Sequence, residues 1–133
     1  MYTGYEIEAG SRQKIMDLFP PKYPDVLGHH ITEKFGVKNP EEVPEQPERV
    51  FLIGYIDNGE DVEGFLVEVD GTVNRPSGGK YHLTWSIDRS NGAKPVHTNN
   101  HVDDAVMLKR PIEIDVDAKF FDKATSSYVK KGR

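Results

Sequence analysis

The sequence predicts an α+β domain built on a mostly antiparallel, curved sheet with one or two short helices. Three observations predict it. About six segments have the length and apolar patterning of strands, only one stretch has a clear helical period, and the connections are rich in Gly, Pro, Asn and Asp. At 133 residues the chain fits a single domain spanning 1–133, of a size that buries roughly two thirds of its unfolded surface.

Residues 2–9, YTGYEIEA, read as the first strand. Ser11 is placed to cap a helix from Arg12 to about Phe19, because Ile15, Leu18 and Phe19 then share one face. PPKYPD ends that helix. Leu27 to Phe35 is extended, and the proline-rich acidic run VKNPEEVPEQPER after it forms an irregular loop across 36–48, a lid by position. FLIGYI at 51–56 is nearly continuous in apolar residues, so it reads as a central strand covered on both faces, and DNGED turns it into VEGFLVEV as a hairpin. YHLTWSID at 81–88 is the next strand, flanked by the loops DGTVNRPSGGK and RSNGAKPVHTNN. A helix near 102–109 capped by Asn100 competes there with an extended VMLK. IEIDVDAKFF alternates as one half-solvated strand, with Ile112, Ile114, Val116, Ala118 and Phe120 on one face. The basic end KKGR reads as a solvated tail.

Composition excludes several chemistries. There is no cysteine, hence no disulfide, zinc-thiolate site or thiol nucleophile. The formal net charge of −5 has the wrong sign for a protein that grips long nucleic acid through its phosphates, so a phosphate-bearing ligand should be small, and net charge leaves open whether a local cationic pocket exists. The first residues, MYTGYEIEAG, lack the basic segment and apolar run of a secretion signal, and no apolar stretch reaches membrane-spanning length. These features lead to the expectation of a cytoplasmic protein without a membrane partner. Oligomeric state is not legible.

Two stretches carry the chemistry. Strand alternation puts Lys80, His82, Thr84 and Ser86 on one face of YHLTWSID and Tyr81, Leu83, Trp85 and Ile87 on the other. In GHHITEKF the same alternation puts Gly28, His30, Thr32 and Lys34 together, with His29, Ile31, Glu33 and Phe35 opposite. One exposed His-x-Thr is ordinary polar surface. Two, each on an apolar-polar strand, suggest one shared cleft. There, one neutral imidazole takes a proton from an attacking water or hydroxyl, and the other, protonated, gives one to the departing oxygen. Thr32 and Thr84, with Lys34 or Lys80, would donate to the non-bridging phosphate oxygens. Such a site needs no metal and no cofactor, and the sequence leaves open which histidine is acid and which base.

His30-Ile-Thr32 and His82-Leu-Thr84 resemble the paired motif of the two-histidine, LigT-like phosphoesterase superfamily, in which each copy is His, apolar residue, Thr or Ser, apolar residue. HLTW matches in full, whereas HITE carries Glu33 where an apolar residue is usual. The resemblance implies a sheet of two pseudo-symmetric halves around a central cleft, with His30, His82, Thr32 and Thr84 as catalytic residues. It also implies hydrolysis of small cyclic or 2′-linked nucleotides, with RNA ends bearing 2′,3′-cyclic phosphates as another substrate. The compact length is similar to phage-type members that degrade cyclic di- and oligonucleotide signals of bacterial antiviral defence, which would act in the host cytoplasm.

The remaining candidates are weaker. Tyr23, in a proline-rich loop, is a base-stacking candidate, while Tyr81 and Trp85 have the parity of core residues. GGK before the second motif leads into a strand rather than the helix that a phosphate loop requires, though Arg75 or Lys80 could reach a phosphate. His97 and His101, four apart, would bind a metal only on a helix, and the intervening TNN favours a loop. The competing functions are a module that binds nucleotides without cleaving them and an interaction protein whose two motifs are incidental.

Overall fold

The strand-length segments pair into one curled antiparallel sheet, and the computed structural model describes residues 1–122 and 127–130 of it. The strands are β1 (Tyr2–Ile7), β2 (Asp25–Val26), β3 (His30–Phe35), β4 (Val50–Asp57), β5 (Val62–Val69), β6 (His82–Ile87), β7 (Val106–Ile114), β8 (Val116–Asp122) and β9 (Ser127–Lys130). Their order is β7-β4-β5-β6-β3-β1-β8-β9, with β2 also on β6. That order is symmetric about the β6–β3 contact: β5, β4 and β7 follow on one side, β1, β8 and β9 on the other. The domain is therefore α+β, with two pseudo-symmetric halves meeting where the two His-x-Thr strands meet.

One face of the sheet carries the main core. Tyr5, Ile31, Leu52, Phe65, Leu83 and Trp85 are buried there, and helix α1 (Ala9–Leu18) presses Ile15 into them. Full burial of side chains of this size contributes about 1.5–3 kcal/mol each. The opposite face is covered in part by a 3-10 segment, Pro95–Asp104, whose Val102 packs on Ile56 and Leu66.

Two irregularities, placed alike in the two halves, set the faces. Gly4 of β1 pairs with Thr32 but Thr3 pairs with Lys34, so Glu33 is an extra residue in β3. Gly64 of β5 pairs with Thr84 but Glu63 pairs with Ser86, so Trp85 is an extra residue in β6. Each strand thus bulges immediately after its threonine, and a bulge reverses the facing of whatever follows. A glycine stands opposite each threonine for a steric reason. A Cβ on Gly4 would lie 2.3 Å from the Ile31 carbonyl oxygen, and one on Gly64 would lie 2.6 Å from that of Leu83.

Several sequence expectations need correction. The helix runs from Ala9 with Glu8 at its N-cap, and Ser11 is buried within it, its hydroxyl accepting the Asp115 N–H. Leu18 is exposed rather than packed. IEIDVDAKFF is two strands, since the chain leaves β7 at Ile114 and enters β8 at Val116 on the other half of the sheet. Ile114, Val116, Ala118 and Phe120 are nonetheless all buried. The stretch after β6 is two 3-10 segments, Arg89–Asn91 and Pro95–Asp104, and VMLK is extended within β7. The β4–β5 hairpin forms as expected, with Asn58 Oδ1 accepting three N–H groups of its turn. Lys130 ends β9, and the rest of the basic tail lies outside the described residues.

Candidate active site

The site begins with Ile31, which lies directly across from Leu83, both fully buried. Because the strands run antiparallel, His30 lies on the Thr84 side of that pair and Thr32 on the His82 side. Since the central pair faces the core, its flanking residues face the other way. Two imidazoles and two hydroxyls therefore occupy the corners of a rectangle on one face of the sheet. All four residues line a single cavity of about 580 Å³.

Gly28 delivers the first strand to this position. The chain follows β6 as far as the Gly28 N–H, which donates to Thr84 O, and then crosses so that His29 O accepts the Ile7 N–H of β1. The crossing has φ of +79° at Gly28, and a Cβ there would fall 2.3 Å from the Trp85 ring. Only glycine combines that backbone with that contact. Arg12 secures the approach by donating through Nη2 to Leu27 O at 2.6 Å.

The two histidines have different surroundings. His82 Nδ1 lies 3.0 Å from Lys80 O, and because a carbonyl only accepts, the neutral ring carries its proton on Nδ1. Nε2 is then the lone-pair nitrogen. Burial pushes the His82 pKa below 6.5, outweighing the Lys80 carbonyl that would raise it, with Arg75 adding to the depression. His30 instead sits among aromatic rings, with Tyr2 at 5.1 Å and Phe121 at 5.2 Å between centroids.

The two threonines differ as well. Thr84 donates to Pro95 O at 3.1 Å and lies 2.7 Å from the hydroxyl of Thr98, which is fully buried. With one hydrogen to give, Thr84 accepts from Thr98 while it donates to Pro95. Thr32 makes no hydrogen bond through its hydroxyl among the described residues and borders the cavity directly.

The other binding candidates lie elsewhere. The Glu33 bulge turns Lys34 to the face of buried Thr3 and brings Phe35 to the cavity beside Tyr2. Glu33 itself accepts the Thr3 hydroxyl at 2.7 Å, which explains a carboxylate at a position expected to be apolar. The Trp85 bulge likewise carries Ser86 away from Thr84 into the interior, where it is fully buried and donates to Glu63 at 2.6 Å. Lys80 is paired with Asp103 at 2.8 Å and does not line the cavity. Tyr23 donates to Asp57 at 2.7 Å with Lys22 over its ring, away from the cavity. Tyr81 and Trp85 are buried, as their parity requires. His29, read as pointing away, borders the cavity mouth. The 36–48 loop lies elsewhere: Val37 and Val43 are buried and Gln46 bonds to the β8 backbone at Val116 and Ala118, so the loop does not cover the histidines.

Electrostatics separate this cavity from the rest of the surface. Among the described residues its lining includes Arg75, Arg89 and Lys94 as well as His29, His30 and His82, and no carboxylate. A second cavity of about 490 Å³, between the 45–48 segment and β7–β8, is lined by Glu8, Glu45, Glu48, Glu113, Asp115 and Asp117, with no cation among the described residues. The net charge of −5 thus conceals a cationic pocket. Sequence reasoning missed Phe35, Arg89, Lys94 and Thr98. Glu33 was the available signal for Phe35, because a charged residue at an inward strand position marks a break in alternation. Among the described residues no group of three or more His, Asp or Glu side chains is arranged to hold a metal ion.

Comparison with known proteins gave no match: no family model, no curated protein and no solved structure matches the chain.

Proposed function

We propose that this protein is a phosphodiesterase of the two-histidine type, hydrolysing small cyclic or 2′-linked nucleotides without a metal. The observation that carries the proposal is the convergence of His30, Thr84, Thr32 and His82 on one cationic cavity with no carboxylate among its described lining residues. In this mechanism His82 Nε2 accepts a proton from water as its oxygen bonds to phosphorus. The bond from phosphorus to the leaving oxygen breaks, and His30 protonates that oxygen. One water is consumed and both protons are accounted for. Base and acid stand on opposite long edges of the rectangle, the separation that attack and departure on opposite sides of phosphorus require. The Nδ1 contact to Lys80 O and the burial-lowered pKa of His82 support its assignment as base. Thr32, whose hydroxyl makes no hydrogen bond among the described residues, donates to a non-bridging oxygen, while Thr84 does so only after releasing Pro95 O.

The test is turnover in EDTA of 2′,3′-cyclic mononucleotides, cyclic dinucleotides and RNA ending in a 2′,3′-cyclic phosphate. Each proton transfer contributes about 10²- to 10⁴-fold, so His30→Ala and His82→Ala should each lose at least about a hundredfold. Absence of turnover by the unaltered protein, or alanine variants that keep full rate, overturns the proposal. A tight complex that returns intact nucleotide after denaturation identifies a sequestering module instead.

A further inference from the structure

The 3-10 segment that pins Thr84 also presents two side chains to the cleft. Within Pro95–Asp104, the Pro95 carbonyl and the Thr98 hydroxyl hold the Thr84 hydroxyl at 3.1 and 2.7 Å. Side chains three apart eclipse one another in a 3-10 helix, so Val96 and Asn99 form one short row, and both line the cavity. Val96 is 62% exposed and joins none of the core clusters formed by the described residues. The Asn99 side chain is exposed and makes no hydrogen bond among the described residues. Its polar neighbours on the segment are committed: His97 Nδ1 accepts the Lys94 N–H at 3.1 Å, and Thr98 is buried against Thr84.

We propose that Val96 and Asn99 form a base-reading subsite selective for adenine, the purine ring lying on Val96 while the Asn99 carboxamide pairs with its edge. The inference rests on the phosphodiesterase reading for one thing, a phosphate beside Thr84, and adds a base preference that the two histidine motifs do not supply. Three features support it. An aliphatic side chain exposed on a cavity wall offers a face for a planar ring, and a polar group beside it fixes the ring's orientation. Asn99 carries the only carboxamide among the described lining residues, whereas the arginines and the lysine there are donors only. A carboxamide donates and accepts side by side, which matches the exocyclic amino group and adjacent ring nitrogen of adenine, the pair that asparagine binds bidentately. Guanine presents two acceptors at the same edge, so the asparagine oxygen would face another oxygen. Position agrees with this chemistry: Asn99 directly follows Thr98, so the row stands beside the hydroxyl that the mechanism brings to the phosphate.

The experiment compares the 2′,3′-cyclic phosphates of adenosine, inosine and guanosine. Binding is measured calorimetrically on the His30→Ala/His82→Ala protein, so that nothing is cleaved, and kcat/KM on the unaltered one. Inosine replaces the amino group of adenine by a carbonyl oxygen and keeps the shape of the purine. The adenosine ligand is expected to bind about tenfold or more tightly than the other two, the discrimination of one bidentate pair. Asn99→Ala should abolish that ratio, as should Asn99→Asp, which has the same shape and only accepts, while Asn99→Gln should keep part of it. Val96→Ser should weaken the adenosine and inosine ligands in equal proportion. No binding by any of the three, equal affinities, a preference for guanosine, which Arg89 or Lys94 would read, or an adenosine preference that survives Asn99→Ala overturns the inference even where phosphodiester cleavage is found. An adenosine preference that depends on Asn99 without any turnover sustains it while the catalytic reading falls.

Discussion

Ile31 lies directly across the antiparallel ladder from Leu83, and both side chains are completely buried. These two aliphatic residues are the common centre of the motifs, and their burial turns His30, Thr32, His82 and Thr84 to the other face. The site is therefore held by core packing, with each polar residue one position from a fully buried one.

The depressed pKa of His82 sets the pH dependence. In the proposed mechanism the His82 ring must be neutral to act as general base, so the acid limb of kcat/KM should have its midpoint below 6.5, the ordinary value for histidine. Stability follows the same sign. The unfolded chain binds the proton more readily than the fold, so stability should fall as pH drops through 6.5 and level off below the folded value. A pH–rate profile checks the first, and chemical denaturation across the same range, with His82→Gln as reference, the second. An acid limb above 6.5 excludes His82 as the base.

Thr98 bonds to the Thr84 hydroxyl without lining the cavity, which makes it a positioning residue in the proposed mechanism. Thr98→Val keeps its shape and removes one hydrogen bond, worth about 0.5–1.5 kcal/mol. We expect kcat to fall roughly three- to tenfold with KM little changed, and Thr98→Ser to restore it. A purely structural role would instead lower the melting temperature and leave kcat alone.

Gly4→Ala and Gly64→Ala each force a methyl group against a backbone carbonyl that cannot swing aside. Overpacking of this kind costs roughly 1–3 kcal/mol, and either substitution should lower the denaturation midpoint by that amount. Gly10→Ala, where a Cβ meets nothing within 4 Å, is the control and should be neutral or slightly stabilising.

Glu63 is 2% exposed and accepts from the Ser86 and Tyr55 hydroxyls and the Lys22 N–H. Glu63→Ala strands those donors, and each buried unmet group costs about 1–3 kcal/mol. A loss of roughly 3 kcal/mol or more is expected by urea titration, although the residue lies outside the cavity.

The pairing of the two motifs was visible in the sequence because strand alternation is a local property. Apolar Ile31 and Leu83 at the centre of each His-x-Thr dictate which way the histidines point, whatever the neighbouring strands. The same rule failed one residue beyond each threonine. Lys34 and Ser86 were placed with the site by counting in twos, and the bulges at Glu33 and Trp85 turned both away. A bulge depends on the partner strand, here on the glycine opposite each threonine, and Gly4 and Gly64 are distant in sequence from the motifs they serve.

What the sequence determined by itself was the fold class, the absence of thiol chemistry, and two strands with an imidazole and a hydroxyl on one face. Tertiary structure alone decided that those faces share a cavity, that Phe35 joins it, and that Arg75, Arg89 and Lys94 surround it while the acidic residues line another. The reason is one of range. The direction of a side chain on a strand follows from its immediate neighbours, whereas convergence of charges from separate loops follows from sheet order, which long-range pairing sets.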